Sequence, residues 1–223
     1  MVSSIEEAKL YGEPPQGNGH STQGRATDIV RDEDLASAEI SPIPKYETAD
    51  IQISFYGEFH QASPDSLGDV VANIVEVESP IHLQELSRRV TEAAYISRTG
   101  SRIRAVIEAA VRSAVRRRKV RRSGDFLWQP EMQAAPLRDR SELPNASKKL
   151  EFVAHEEIEA AIGKVVADAY GIDREEIPGA VLRLLLGFKR ATEVAQRQVT
   201  KVLDGMIAQG RLIEENNHIS VKE

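Results

Sequence analysis

The 223-residue chain contains no cysteine. That excludes disulfide staples and any thiolate metal site, and it is compatible with a reducing compartment. Aromatic residues make up only 5% of the chain, so a core has to be assembled mainly from Val, Ile, Leu and Ala. No run approaches the roughly twenty apolar residues of a membrane-crossing helix, and the opening MVSSIEEAKLYGE lacks the basic and then apolar pattern of a secretory signal. These absences lead to the expectation of a cytoplasmic protein without a membrane partner. The five histidines, His20, His60, His82, His155 and His218, have no metal-ligand spacing, so no metal is expected. There is no G-x-x-x-x-G-K-[ST] phosphate cradle, no recognisable nuclease set of acids with a lysine, and no serine in a nucleophile setting. The acid pairs Glu156/Glu157 and Glu175/Glu176 fall at or near helix starts, where negative charge complements the helix dipole. Neither an enzymatic activity nor a cofactor is expected.

What is present is an apolar fraction of 41%, enough for a core, and a net charge of −6 that is unevenly spread. Residues 1–68 carry twelve acids against four bases, residues 69–130 seven against twelve, residues 131–152 four against four, and residues 153–223 twelve against nine. Only the second stretch is basic, and most of its positive charge lies between residues 98 and 122. A local basic patch on an acidic chain marks a specific surface.

The stretch from Tyr11 to Asp50 is rich in Gly, Pro, Ser and acid without an apolar period, so residues 1–50 are expected to be an acidic linker or disordered. Within them, SSIEEAKL has the form of a capping box at a helix end. Residues 51–65, with the alternating IQISFYGEF, suggest a short strand or extended segment docked on the neighbouring domain. From Ser66 onward the periodicity is helical. Leu67, Val70, Val71, Ile74 and Val75 mark a first helix with Asp65 as its cap; Pro80 stops it and Ile81 offers a short β step. Leu83, Leu86 and Val90 mark a second helix. Ile103, Val106, Ile107, Ala110, Val111, Ala114 and Val115 mark a third that enters at Gly100. KVRRSGDFLW then predicts a hairpin around Ser123-Gly124.

Helix, strand step, helix, helix, hairpin is the order of a winged helix-turn-helix domain, and residues 66–130 are assigned to one. The order recurs in residues 153–223, with a hairpin around Asn216-Asn217, after a Pro-containing linker over residues 131–152. A shift of 92 positions aligns Ile107 with Val199, Ala110 with Val202, Val111 with Leu203, Ala114 with Met206, Val115 with Ile207 and Val120 with Leu212. The predicted class is therefore mainly α with small β-hairpins (α+β), as two tandem winged helix-turn-helix-like domains, the first basic and the second acidic.

At IVEVESPIHLQELSRRV, RTGSRIRAVIEAA and RRRKVRRSGDFLWQP the sequence resembles a domain-of-unknown-function family. That module lies at the C-terminus of large bacterial proteins with a superfamily-one, Upf-type helicase core and then a Vsr-like or restriction-endonuclease-like nuclease domain. The resemblance is best over residues 66–130, weaker through LLGFKRA and MIAQGRLIE, and absent from the Gly/Pro-rich start. SSIEEAKLYGE is similar to the last helix after the nuclease domain of such proteins. The resemblance implies an accessory place beside a helicase-nuclease. It brings neither ATPase nor nuclease activity, because the residues for both are missing.

Among candidate site residues, the stripe of the third helix leaves Arg98, Ser101, Arg102, Ala105, Glu108 and Arg112 toward solvent, and Arg121 and Arg122 project from the wing. Charges at both ends of a helix and on the wing suit phosphate clamping, with DNA, duplex or single-stranded, as the expected partner. Arg116, Arg117, Arg118 and Lys119 are read as solvated charges complementing a helix C-terminus. Phe126 and Trp128 have the chemistry to stack on a base, but the core is the preferred place for them. In the second copy only Lys189, Arg190, Arg197 and Lys201 lie near the corresponding helix, and Glu214 and Glu215 on its wing would repel phosphate. That copy reads as a packing or protein-binding module.

Overall fold

The computed structural model describes residues 40–53, 58–96, 100–188 and 191–222. The N-terminal capping-box helix and most of the Gly/Pro-rich stretch lie outside the described residues. The chain is mainly helical, with six α-helices and two three-stranded antiparallel sheets among the described residues. None of these helices is long and apolar enough to cross a membrane.

The first unit begins with a 3-10 turn, Phe59–Gln61, and helix α1, Pro64–Glu78. Ser63 is the cap of α1: its Oγ accepts from the N–H of Asp65 and Ser66, and Pro64 occupies the first helical position. Asp65, expected as the cap, lies inside the first turn and bonds to Ser113 and Arg116 instead. Strand β1, Ile81–His82, leads into α2, Leu83–Ala93, which His82 caps by accepting from the Gln84 N–H at 3.1 Å. Helix α3 spans Ser101–Arg116 and crosses α1 at Gly68, where a Cβ would lie 3.2 Å from the Ala110 carbonyl oxygen. A methyl there would need the two backbones to give by a few tenths of an ångström.

Strands β2, Arg121–Ser123, and β3, Phe126–Trp128, close the unit. Ser123 pairs with Phe126, so the turn is Gly124-Asp125, one residue later than predicted. The first turn position requires positive φ, and Gly124 supplies it at +58°.

The second unit repeats this order as α4, His155–Asp168; β4, Ile172–Asp173; α5, Ile177–Leu186; α6, Glu193–Ala208; β5, Leu212–Glu215; and β6, His218–Val221. Its hairpin turns at Asn216-Asn217, both at positive φ. The sheets have the same topology, β1-β3-β2 and β4-β6-β5. Of the pairs aligned by the 92-residue shift, Ile107/Val199, Ala110/Val202, Val111/Leu203, Ala114/Met206 and Val120/Leu212 are all buried. Val115 and Ile207 sit at the rim, with Val115 36% exposed. Each unit has its own core, one around Val71, Ile74, Leu86, Val111 and Leu127, the other around Ile162, Val181, Leu185, Leu203 and Ile219. The apolar run in α5 is core, since Val181, Leu182, Leu185 and Leu186 are fully buried.

Residues 40–53 run without regular structure across both units. Ile40 and Ile43 pack on the second core, Ile51 and Ile53 on the first, and Lys45 forms a parallel bridge with Asp139.

Between the cores lies a buried charge cluster of Glu78, Glu85, Glu157, Arg89, Arg138 and Arg140. Glu157, in the first turn of α4, takes a bidentate pair of bonds from Arg140 at 2.7 Å each and one from Arg138 at 2.9 Å. Arg138 also donates to the carbonyls of Glu78 and Pro80. Glu78, at the end of α1, accepts from Arg89 at 3.0 Å and from the Tyr46 hydroxyl at 2.9 Å. The Tyr46 ring is covered by the guanidinium groups of Arg138 and Arg140 at 4.7 and 4.8 Å. Burial alone would raise the carboxyl pKa of Glu157; the bonds and charge of Arg140 and then Arg138 outweigh it and hold it below its usual 4.5.

Glu157→Gln leaves two buried arginines short of a counter-charge and is expected to cost about 3–5 kcal/mol in denaturant unfolding at neutral pH. Because the folded carboxyl is depressed, its stabilisation is complete above the usual 4.5 and fades as pH falls through the depressed value. The gap between wild type and Glu157→Gln should therefore shrink in acid; a gap that widens there contradicts this assignment.

Candidate nucleic-acid interface

The solvent face of α3 and the edge strand β2 form one surface. Ser101, Arg102, Arg104, Ala105 and Arg112 are exposed along the helix, and Arg121 and Arg122 along the strand. Core packing of Ile107, Ala110, Val111 and Ala114 fixes which side of α3 faces outward. Arg98, the remaining residue predicted for this surface, lies outside the described residues.

The surface is partly neutralised from within. Glu108, the one acid on this face of α3 among the described residues, accepts from Arg122 at 2.6 Å and lies 4.0 Å from Arg112. Arg122 also donates to the Gly124 carbonyl at 3.0 Å, which ties strand and turn to the helix. Arg121 stacks 4.9 Å over the Trp128 ring and donates to the Met132 carbonyl. Arg102 and Arg104 have no ion-pair partner among the described residues. Arg104 was not singled out from the sequence, although its spacing from Ser101 and Glu108 places it beside them. It borders an open groove of about 810 Å3 between α2 and α3, lined also by Gln84, Ser87, Arg88 and Thr91.

The C-terminal cations of α3 behave differently. Arg116 pairs with Asp65 at 3.2 Å, and Arg117 and Lys119 pair with Asp69 at 2.9 and 2.6 Å. Lys119 foremost, then Arg117, holds the Asp69 carboxyl below its usual range. Three of the four cations read as solvated end charges are thus α1–α3 cross-links at the surface. Arg118, at φ +57°, is exposed and has no ion-pair partner among the described residues.

Phe126 and Trp128 do not face the first core; Leu127 does. Trp128 is 2% exposed and packs with Ala135 and Ala154, under the segment leading into α4. Alternation along β3 explains the outcome, because a strand that buries Leu127 inward must point its neighbours outward.

In the second unit the 92-residue shift replaces Ser101 by Glu193, Arg102 by Val194, Arg104 by Gln196, Arg112 by Asp204, Arg121 by Ile213 and Arg122 by Glu214. The central pairing is inverted as well: Arg174 binds both Asp204 and Glu214, as Glu108 neighbours two arginines in the first unit. Of the other cations noted near α6, Arg197 pairs with Glu193, and Lys189 and Arg190 lie outside the described residues. Among the described residues no group of three or more His, Asp or Glu is placed to hold a metal ion.

A family model described as a protein of unknown function (DUF3320) matches residues 57–105, which span α1, β1, α2 and the start of α3. The match takes in Ser101, Arg102 and Arg104 but ends before Arg112, Arg121 and Arg122. No curated protein and no solved structure matches the chain.

Because Trp128 is the only tryptophan and is sealed beneath residues 132–154, its emission should be blue-shifted and unmoved by a saturating single-stranded oligonucleotide. Strong quenching on addition would mean that a base reaches the ring.

Proposed function

We propose that this chain is a non-catalytic nucleic-acid-binding module whose first unit is winged helix-turn-helix-like, with α3 as the helix laid against the nucleic acid and the β2–β3 turn as the wing. The observation that carries this reading is the pair of uncompensated arginines, Arg102 and Arg104, beside Arg112, Arg121 and Arg122 on one surface, while the second unit holds neutral or acidic residues at all five positions. Arginines so placed neutralise phosphates and fix orientation more than they read bases, so weak sequence preference is expected. DNA is the expected ligand. The resemblance of residues 66–130 to the tail of helicase-nuclease proteins supports a role as an accessory to such an enzyme in the cytoplasm.

A second reading is an interaction module that recruits a partner to the same enzyme. Glu193, Asp204 and Glu214 on the α6 and β5 face favour it for the second unit.

Fluorescence anisotropy with a random duplex should show binding that weakens with salt, with a log–log slope of about −4 to −5 for five arginine–phosphate contacts. Replacing Arg102, Arg121 and Arg122 by Glu should abolish it, and replacing Arg102 and Arg104 by Glu, neither of which bonds to another described residue, should weaken it at least tenfold without changing the melting temperature. Binding that ignores salt, or no binding at low salt, contradicts the nucleic-acid reading and leaves the interaction module.

Glu108→Gln frees Arg122 and Arg112 from their internal acid. Duplex affinity should rise about two- to fivefold, the size of one exposed charge interaction. A loss of affinity would mean that Glu108 itself contacts the ligand.

A further inference from the structure

In the first unit, the outer face of the sheet is covered by the segment that continues from β3. Gln129 donates from its side chain to the Glu76 carbonyl at 2.6 Å and from its backbone to Ser79 Oγ at 2.8 Å. Ser79 Oγ lies 3.3 Å from Met132 Sδ, Arg121 donates to the Met132 carbonyl, and Trp128 packs with Ala135 and Met132.

Strand register carries these positions onto the second unit. Ile81 pairs with Leu127 as Ile172 pairs with Ile219, and Arg121 pairs with Trp128 as Ile213 pairs with Ser220. Trp128 therefore corresponds to Ser220, Gln129 to Val221 and Arg121 to Ile213. Counting back from Ile81 and Ile172 makes Ala167 the counterpart of Glu76 and Tyr170 that of Ser79.

These five counterparts line one open groove of about 740 Å3, together with Val166, Gly171 and Lys222. Tyr170 is 96% exposed, Val221 47% and Ile213 36%. In the first unit the cover meets the Trp128 ring, the Arg121 guanidinium, Ser79 Oγ and the Glu76 carbonyl. In the second unit Ser220 stands for the indole and Ile213 for the arginine; Tyr170, Ile213 and Val221 are exposed, and among the described residues no segment lies over them. Apolar side chains left open where the sister unit is covered mark an interaction surface. Serine in place of the indole leaves room for a large incoming group.

We propose that this groove binds an extended segment of a partner protein, which inserts one long apolar or aromatic side chain into the place that Trp128 and Met132 fill in the first unit. The occupant is an extended polypeptide because that is what lies on the equivalent surface, and its anchor is large because Ser220 does not fill the space. This surface lies on the second unit and stands independently of nucleic-acid binding by the first.

The probe is a fluorescein-labelled peptide of residues 129–137, QPEMQAAPL, titrated with the full chain in anisotropy, beside the same peptide carrying Met132→Trp. Saturable binding is expected, tighter by about fivefold or more for the tryptophan peptide and weakened about tenfold by Ile213→Asp in the protein. Val221→Asp, on the neighbouring strand, should act in the same direction, and both variants should melt as the wild type does. No saturation at millimolar peptide, or equal binding by the Asp variants, overturns the proposal. Concentration-dependent dimerisation that Ile213→Asp abolishes overturns it too, by assigning the groove to a second copy of the chain.

Discussion

The arrangement of the two units depends on a balanced set of buried charges. Three carboxylates and three arginines are buried; Glu78 and Glu157 are hydrogen-bonded by Arg89, Arg138 and Arg140, and Glu85 lies 3.1 Å from the partly exposed Arg88. The cluster joins elements far apart in the chain: the end of α1, the segment 138–140, the first turn of α4 and, through Tyr46, the extended stretch before the first unit. Replacing the whole set by apolar residues could leave stability unchanged, whereas losing one member is costly. The cluster therefore specifies the junction more than it strengthens the fold.

With the junction so defined, the repeat presents similar backbones with different surfaces. In the first unit Glu108 of α3 neighbours arginines of α3 and β2; in the second, Arg174 after β4 binds Asp204 of α6 and Glu214 of β5. The outer sheet surfaces differ too, covered by the following segment in the first unit and open among the described residues in the second. The same folding pattern is thus turned to charge at one end of the chain and to apolar contact at the other. Under the proposed reading, one chain would hold a polyanion and a polypeptide on separate surfaces.

Much of the architecture was legible in the sequence because it rests on local periodicity. The apolar stripes of α1, α3 and α6 follow a helical spacing, Pro80 and the Asn216-Asn217 pair mark a stop and a turn, and the 92-residue shift aligns buried positions. Long-range pairings were not legible. Nothing local distinguishes Glu157 from its exposed neighbour Glu156, because its burial depends on Arg138 and Arg140 folding over it from a stretch that reads as linker. Arg122 and Arg112 look free in sequence, and only the hairpin's approach to α3 shows that Glu108 binds one and neighbours the other. Trp128 is buried as expected, but the pleat of β3 places it in a separate small cluster with Ala135 and Ala154 and not in the core of the first unit. Ser63 competes with Asp65 for the cap of α1, a choice that turns on Pro64 between them.

The central claim is that one surface, the solvent face of α3 with strand β2 and the β2–β3 turn, meets nucleic acid. Hydrogen–deuterium exchange of the full chain with and without a saturating duplex tests it most directly, because it locates contact without altering a residue. The account predicts slowed exchange in residues 101–108 and 121–126, with α6 and β5 unchanged. Protection confined to the second unit, or none in α3 while the duplex stays bound, would contradict it.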